Sequence, residues 1–235
     1  VDASDGDIPA SEVSRFINPA LYPDLVELGG LGAAIAHAAD RNGLDLGQVE
    51  SASSNPRGHL VTARLHSDRG PILIHLGKER RLFSISIEGE VRPWAEGATG
   101  DIDDAVGVVG AWRSGVTLRD LKSRFYFMDY DELAQAHESG DPVETQWKLL
   151  LREEDRPILQ NLLRTLYADP GLRGFFPYLS MGILCLARDI SDRRAGEIRI
   201  VPGGDGSHRV QSTLSGEERE VPSTDQVLDA VKHLC

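Results

Sequence analysis

The sequence predicts an α+β protein, with one or more antiparallel sheet meanders and helices packed on one face. Three observations lead there. Apolar residues alternate with period two between His59 and Ile87, whereas they recur at three and four residues before and after that stretch. Strand patterns also come in runs and do not alternate one by one with helices, which separates this class from a parallel α/β sheet. Finally, 40% hydrophobic and 26% charged residues in 235 leave enough apolar surface to offset ordering entropy.

Residues 1–20 mix Asp, Ser, Pro and Ala with little periodicity and are expected to form a flexible N-terminal arm, with residues 21–235 as a single α+β domain. From Tyr22, the residues Leu25, Leu28, Leu31, Ile35 and Ala38 mark a helix that Gly43 stops, and Gly29, Gly30 and Gly32 predict a break or an unusually close packing contact inside it. His59–His66, Pro71–Leu76 and Leu82–Ile87 read as three strands of a meander, separated by hairpin-length gaps and extended near Val91–Trp94. Asp101 opens a helix through Ala105, Val108, Val109 and Trp112 that Gly115 ends.

Shorter helical pieces follow at Leu118–Phe125 and Tyr130–Glu138, then a longer helical region from Val143 to Ala168. Pro157 must split or kink that region, with Asp155 available as a cap. Strand patterns return at Tyr178–Arg188, Glu197–Val201 and His208–Thr213, and a helix at Thr224–Leu234 closes the chain.

With 25 Lys and Arg against 37 Asp and Glu, the formal charge of −12 disfavours a nucleic-acid partner. Cys185 and Cys235 form neither a disulfide framework nor a metal or redox pair, as suits a reducing cytoplasm. No apolar run approaches the roughly 20 residues of a membrane span, and the acidic stretch Val1–Ala10 lacks the features of a signal peptide. A cytoplasmic protein with no membrane partner is expected.

The motifs with a chemical look have structural explanations. Asp101-Ile102-Asp103-Asp104 has the D-x-D-D spelling of the protonating acid in class II terpene cyclases, yet stands where carboxylates cap a helix. Gly29-Gly30-Leu31-Gly32 follows no strand, as a nucleotide loop would. Glu153-Glu154-Asp155 reads as a solvated face or cap, and His37, His137, His208 and His233 have no second ligand at metal spacing. No cofactor and no metal are expected. The aromatic residues Trp112, Phe125, Tyr126, Phe127, Tyr130 and Trp147 read as packing.

One arrangement is left over. If Val61, Ala63, Leu65, Ile72, Ile74, Phe83 and Ile85 face the helices, the opposite sheet face carries Thr62, Arg64, His66, His75, Ser84 and Ser86. A fixed cation, two groups that titrate near neutrality and hydroxyls are suited to an anionic or carbonyl-bearing ligand.

The tokens Ala111-Trp112-Arg113-Ser114-Gly115, Leu118-Arg119-Asp120-Leu121, Asp131 to Gly140 and Trp147 occur in an order that resembles the DUF6193 family of actinobacterial proteins. Tyr167-Ala168-Asp169-Pro170-Gly171-Leu172-Arg173-Gly174-Phe175-Phe176-Pro177-Tyr178-Leu179-Ser180 is similar to that family's second signature, and the resemblance runs from about Tyr22 to Val210. It implies a place in natural-product biosynthesis (secondary metabolism) without an assigned reaction or catalytic residues. Where many members have a His after the serine of the second signature, this chain has Met181.

The expected function is therefore an accessory protein that binds a small-molecule or peptide biosynthetic intermediate, a precursor peptide or a partner biosynthetic enzyme. The alternative is a cofactor-free tailoring enzyme of the cyclase or isomerase type. It would use His66 or His75 as base on the polar sheet face, with Arg64, Ser84, Ser86 and Thr62 holding the ligand.

Overall fold

The computed structural model describes residues 9–52, 58–203 and 206–235. Among them, nine α-helices and two antiparallel five-stranded sheets establish the α+β class. The chain divides into two compact units, Val1–Gln135 and Ala136–Cys235, each with its own sheet and its own apolar cluster. Two cores thus stand where the sequence suggested one over residues 21–235. Each meander has only one apolar face to bury, and each is supplied with its own set of helices.

In the first unit, α1 (Ala10–Val13), α2 (Pro23–Leu28) and α3 (Leu31–Arg41) precede β1 (Thr62–Leu65), β2 (Ile72–Leu76), β3 (Phe83–Glu88) and β4 (Pro93–Thr99). After these come α4 (Ile102–Arg113), α5 (Leu118–Arg124), β5 (Met128–Asp129) and α6 (Glu132–Ser139), with the boundary between the units inside α6. The sheet order is β1-β2-β3-β4-β5. Its inner face buries Ala63, Leu65, Ile72, Ile74, Phe83, Ile85 and Ile87 in one cluster with Ile35 of α3 and Val106 and Val109 of α4, as the period-two pattern required.

The N-terminal arm is a different matter. Residues 1–8 lie outside the described residues, but Val13 and Ile17 are buried in the first core, so residues 9–20 are packed and not free. The glycine break is real and has a cause. Gly29 and Gly30 have φ of 91° and 120°, and a Cβ on Gly30 would meet Leu60 Cδ2 at 2.8 Å.

Tyr22 shows how a polar atom is accommodated in this core. Its ring is 1% exposed and meets Phe83 edge-on at 5.9 Å. The hydroxyl accepts from the Leu82 N–H at 2.9 Å and faces the carbonyl oxygens of Gly77 and Leu82 at 2.9 and 3.0 Å, pinning the β2–β3 turn to α2. Arg81 beside it holds Asp24 with two bonds of 2.7 and 2.8 Å, and this guanidinium keeps the Asp24 carboxyl below its ordinary range.

In the second unit, α7 (Pro142–Glu153) and α8 (Pro157–Ala168) precede β6 (Phe176–Ser180), β7 (Ile183–Ala187), β8 (Glu197–Pro202), β9 (His208–Ser212), β10 (Glu218–Val221) and α9 (Val227–Leu234). Pro157 does split the long helical region. Asp155, however, does not cap α8: the N-cap residue is Arg156 and no side chain caps the helix, while Glu154 accepts from the Arg156 N–H at 2.9 Å and from its guanidinium at 2.7 and 2.9 Å. The sheet order is β10-β9-β8-β7-β6, and Leu184, Leu186, Ile198, Ile200 and Val210 pack in one cluster with Trp147 of α7, Leu162, Leu163 and Leu166 of α8, and Val227 and Val231 of α9.

Tyr22→Phe keeps the ring and removes the hydroxyl, stranding the partly buried Leu82 N–H. The expected outcome is a loss of about 1–3 kcal/mol in urea unfolding; an unchanged unfolding midpoint would show that the hydroxyl does not clamp the turn.

Candidate functional site

The outer face of the first sheet carries five of the six polar residues singled out by sequence, in two adjacent rows, while His66 lies beyond the end of β1. Thr62, His75 and Ser84 are neighbours across β1, β2 and β3, while in the next row Arg64 and Ser86 stand on either side of Leu73. His66 follows β1, four residues along from Thr62, which is the residue opposite His75. At strand rise that is roughly 13 Å, too far for the two imidazoles to act on one bond.

Several of these groups are already engaged. The Thr62 hydroxyl donates to the Gly58 carbonyl at 2.9 Å, Ser86 Oγ lies 2.5 Å from Glu88 Oε1, and His66 Nε2 lies 3.1 Å from Glu50 Oε2. His75 and Ser84 are exposed. The geometry is that of a solvated sheet face on which the His66 imidazole pairs with Glu50 and not with His75.

The other motifs resolve into architecture. The Asp101 carboxylate accepts from the Asp103 N–H at 2.9 Å as the α4 N-cap, and Asp103 pairs with Arg41, which holds its carboxyl below the ordinary range. Trp112 and Trp147 are fully buried, whereas Tyr126 is 89% exposed and not a packing residue. Among the described residues, no group of three or more His, Cys, Asp or Glu side chains is placed to hold a metal ion, and no helix is long and apolar enough to cross a membrane.

The site that sequence reasoning missed is the edge of the second sheet. Among the described residues, both edges of the first sheet are short or bridged, and a helix lies close to β6 at one end of the second. Glu50 bridges to Arg64 on β1 with backbone bonds of 2.9 and 2.7 Å, β5 has two residues, and α7 packs against β6. β10 is the exception, since Glu218, Arg219 and Glu220 are all exposed.

The ladder fixes which backbone groups point outward. Ser212 N–H donates to the Glu217 carbonyl at 2.9 Å and Thr213 N–H to the Glu197 carbonyl at 2.9 Å, so alternate residues of β9 turn to β10 and to β8. Antiparallel alternation then aims the N–H and C=O of Arg219 and Val221 at β9, and those of Glu218 and Glu220 away from the sheet. The signal in the sequence was Gly216, whose φ of 74° makes the turn out of β9; Glu218–Val221 itself is too charged to alternate visibly.

Beside this edge, an open groove of about 800 Å³ runs between β10 and α9, lined by Arg219, Glu220, Val221, Gln226, Asp229, Ala230 and His233. Val221 and Ala230, at 8% and 4% exposure, give it an apolar floor. His208 lies under that floor, opposite Val221 in the ladder; it is 4% exposed, its Nδ1 has no hydrogen-bond partner, and burial holds the imidazole below its ordinary pKa.

Helix α9 is held in place from outside as well as by its core face. Asp169 caps its own turn through the Gly171 N–H at 2.9 Å and binds Lys232 of α9 at 2.7 Å. Arg173 donates to the Tyr167 carbonyl at 2.7 Å and lies over the Tyr167 ring, and Trp147 donates to the Phe175 carbonyl at 3.0 Å. Asp169, Tyr167, Arg173 and Phe175 belong to the second signature, and Trp147 to the first set of tokens. The model of DUF6193, described as a family of unknown function, matches residues 141–234.

Residues 141–234 are thus similar to DUF6193. The match falls within the second unit and contains β10, α9 and the groove, whereas the first-signature residues from Ala111 to Gly140 lie outside it. No curated protein and no solved structure matches the chain. Within the matched residues, Met181 occupies a two-residue hairpin tip between β6 and β7 with φ of 50° and a fully exposed side chain, a conformation that costs a non-glycine residue about 1–2 kcal/mol.

Because burial holds the His208 pKa below its ordinary value, the unfolded chain binds the extra proton as pH falls through 6.5, that ordinary value. Stability contributed by His208 is therefore present above that value and lost on acidification below it. Carboxylates held low by their partners, such as Asp169 beside Lys232, lose theirs only in the lower, carboxylate range. Urea unfolding at pH 7.5 and 5.5 is expected to show a smaller loss for His208→Phe than for the native chain; equal losses would place the titrating group elsewhere.

Proposed function

We propose that this chain is a non-catalytic accessory protein of natural-product biosynthesis that binds an extended peptide segment, from a precursor peptide or a partner enzyme, by adding it as a strand to β10. The observation that carries the reading is the β10 edge, which pairs with no further strand among the described residues, beside a groove. Glu218 and Glu220 offer outward N–H and C=O groups, and the groove takes the side chains that alternate toward α9.

The biosynthetic context rests on the resemblance of the second signature, whose residues build the support of α9. Strand addition draws affinity from main-chain hydrogen bonds, which suits a protein whose groove side chains of Arg219, Glu220, Gln226 and His233 form no hydrogen bond or ion pair among the described residues. A binding role also accounts for the polar face of the first sheet as a solvated surface, with His66 and His75 far apart.

Glu220→Pro tests the reading without dismantling the sheet, because the Glu220 N–H is not used by β9. With peptides spanning the precursor peptides and partner enzymes encoded beside this gene, the native chain is expected to bind at least one segment. Glu220→Pro should weaken that binding about tenfold or more, one to two lost main-chain bonds, with little change in melting temperature. Undiminished binding by the proline variant would overturn strand addition at this edge.

A further inference from the structure

From the charges around β10 we infer that the segment it takes is basic, with Lys or Arg at two positions i and i+2 and an apolar residue between them. The inference rests on the strand-addition reading and adds the chemistry of the occupant. In an antiparallel ladder, directly opposite residues share a face. Glu218 and Glu220 therefore project to the side of Gln211 and Arg209, and Arg219 and Val221 to the side of Val210 and His208, where α9 packs.

An added strand repeats that alternation. Its residues opposite Glu218 and Glu220 each meet a carboxylate on the outer side, and the residue between them turns over the groove floor of Val221 and Ala230. Residues 217–220 hold three glutamates and one arginine, and Asp225 and Asp229 follow on the α9 side. Neither Glu218 nor Glu220 has an ion pair among the described residues, although Arg209 stands opposite Glu220. Their charge is thus available to a partner.

Such a row also discourages a second copy of this chain. In antiparallel pairing of two β10 strands, glutamates would face glutamates on the outer side, which is unfavourable. Charge complementarity selects a basic segment over an acidic one and over self-association, and the whole chain, at −12, attracts it from a distance.

Three fluorescent peptides with the cores Lys-Val-Lys-Val-Lys, Thr-Val-Thr-Val-Thr and Glu-Val-Glu-Val-Glu, titrated by anisotropy against the full chain, test this. The basic peptide is expected to bind at least tenfold tighter than the neutral one and the acidic one not at all, with the preference shrinking as salt rises from 50 to 500 mM. The double variant Glu218→Lys, Glu220→Lys should invert the order. Equal affinity for the basic and neutral peptides, or an order unmoved by charge reversal, overturns the charge inference; if Glu220→Pro still abolishes that binding, strand addition stands without it. Absence of binding by all three peptides overturns the inference, and strand addition falls with it only if the Glu218 and Glu220 amides are also unaffected by every segment tried.

Discussion

A β-strand has two rows of backbone hydrogen-bonding groups, and a sheet satisfies both only for its inner strands. Each meander in this chain therefore ends in two edges. Among the described residues, the first sheet bridges one with Glu50–Arg64 and cuts the other to the two residues of β5, and in the second sheet α7 packs against β6. The row presented by Glu218 and Glu220 is left to water. Charged side chains along β10 keep it from pairing with another copy of itself, and the same charges decide what can pair with it.

Holding that edge open beside a groove requires α9 to stay where it is. Its buried stripe of Val227, Ala230, Val231 and Leu234 supplies the larger share, since each fully buried aliphatic side chain is worth about 1.5–3 kcal/mol. The Asp169–Lys232 bond adds little energy at the surface but fixes where α9 lies relative to the end of α8. Trp147 and Tyr167, with ring centroids 5.7 Å apart, join α7 to α8. Asp169 of the second signature is in this sense part of the frame that positions α9 beside the groove.

The meander was legible because Ala63, Leu65, Ile72, Ile74, Phe83 and Ile85 alternate with polar residues on a half-buried face. The Asp101 cap and the break at Gly29–Gly30 were equally plain, since each depends on local chemistry. β4 was seen only at its start, because Ala95, Gly97 and Ala98 carry almost no strand preference and are recruited by pairing with β3. The division into two cores was not visible, as nothing local distinguishes one long core from two. β10 was missed for a related reason: a strand whose first three residues face solvent has no apolar rhythm, and its pairing with β9 is a tertiary fact. Of the residues singled out as a site, Thr62, Arg64, His75, Ser84 and Ser86 share one face through strand alternation, but their spacing along it depends on register, which the alternation does not specify.

Residue-resolved amide hydrogen exchange tests the central claim most directly. In the free protein, the amides of Arg219 and Val221 are expected to be protected by β9 and those of Glu218 and Glu220 to exchange rapidly. On binding a basic extended peptide, the latter two should gain protection of about tenfold or more, consistent with new main-chain bonds. Protection of Glu218 and Glu220 in the free chain, or binding that leaves their exchange unchanged, would contradict the account.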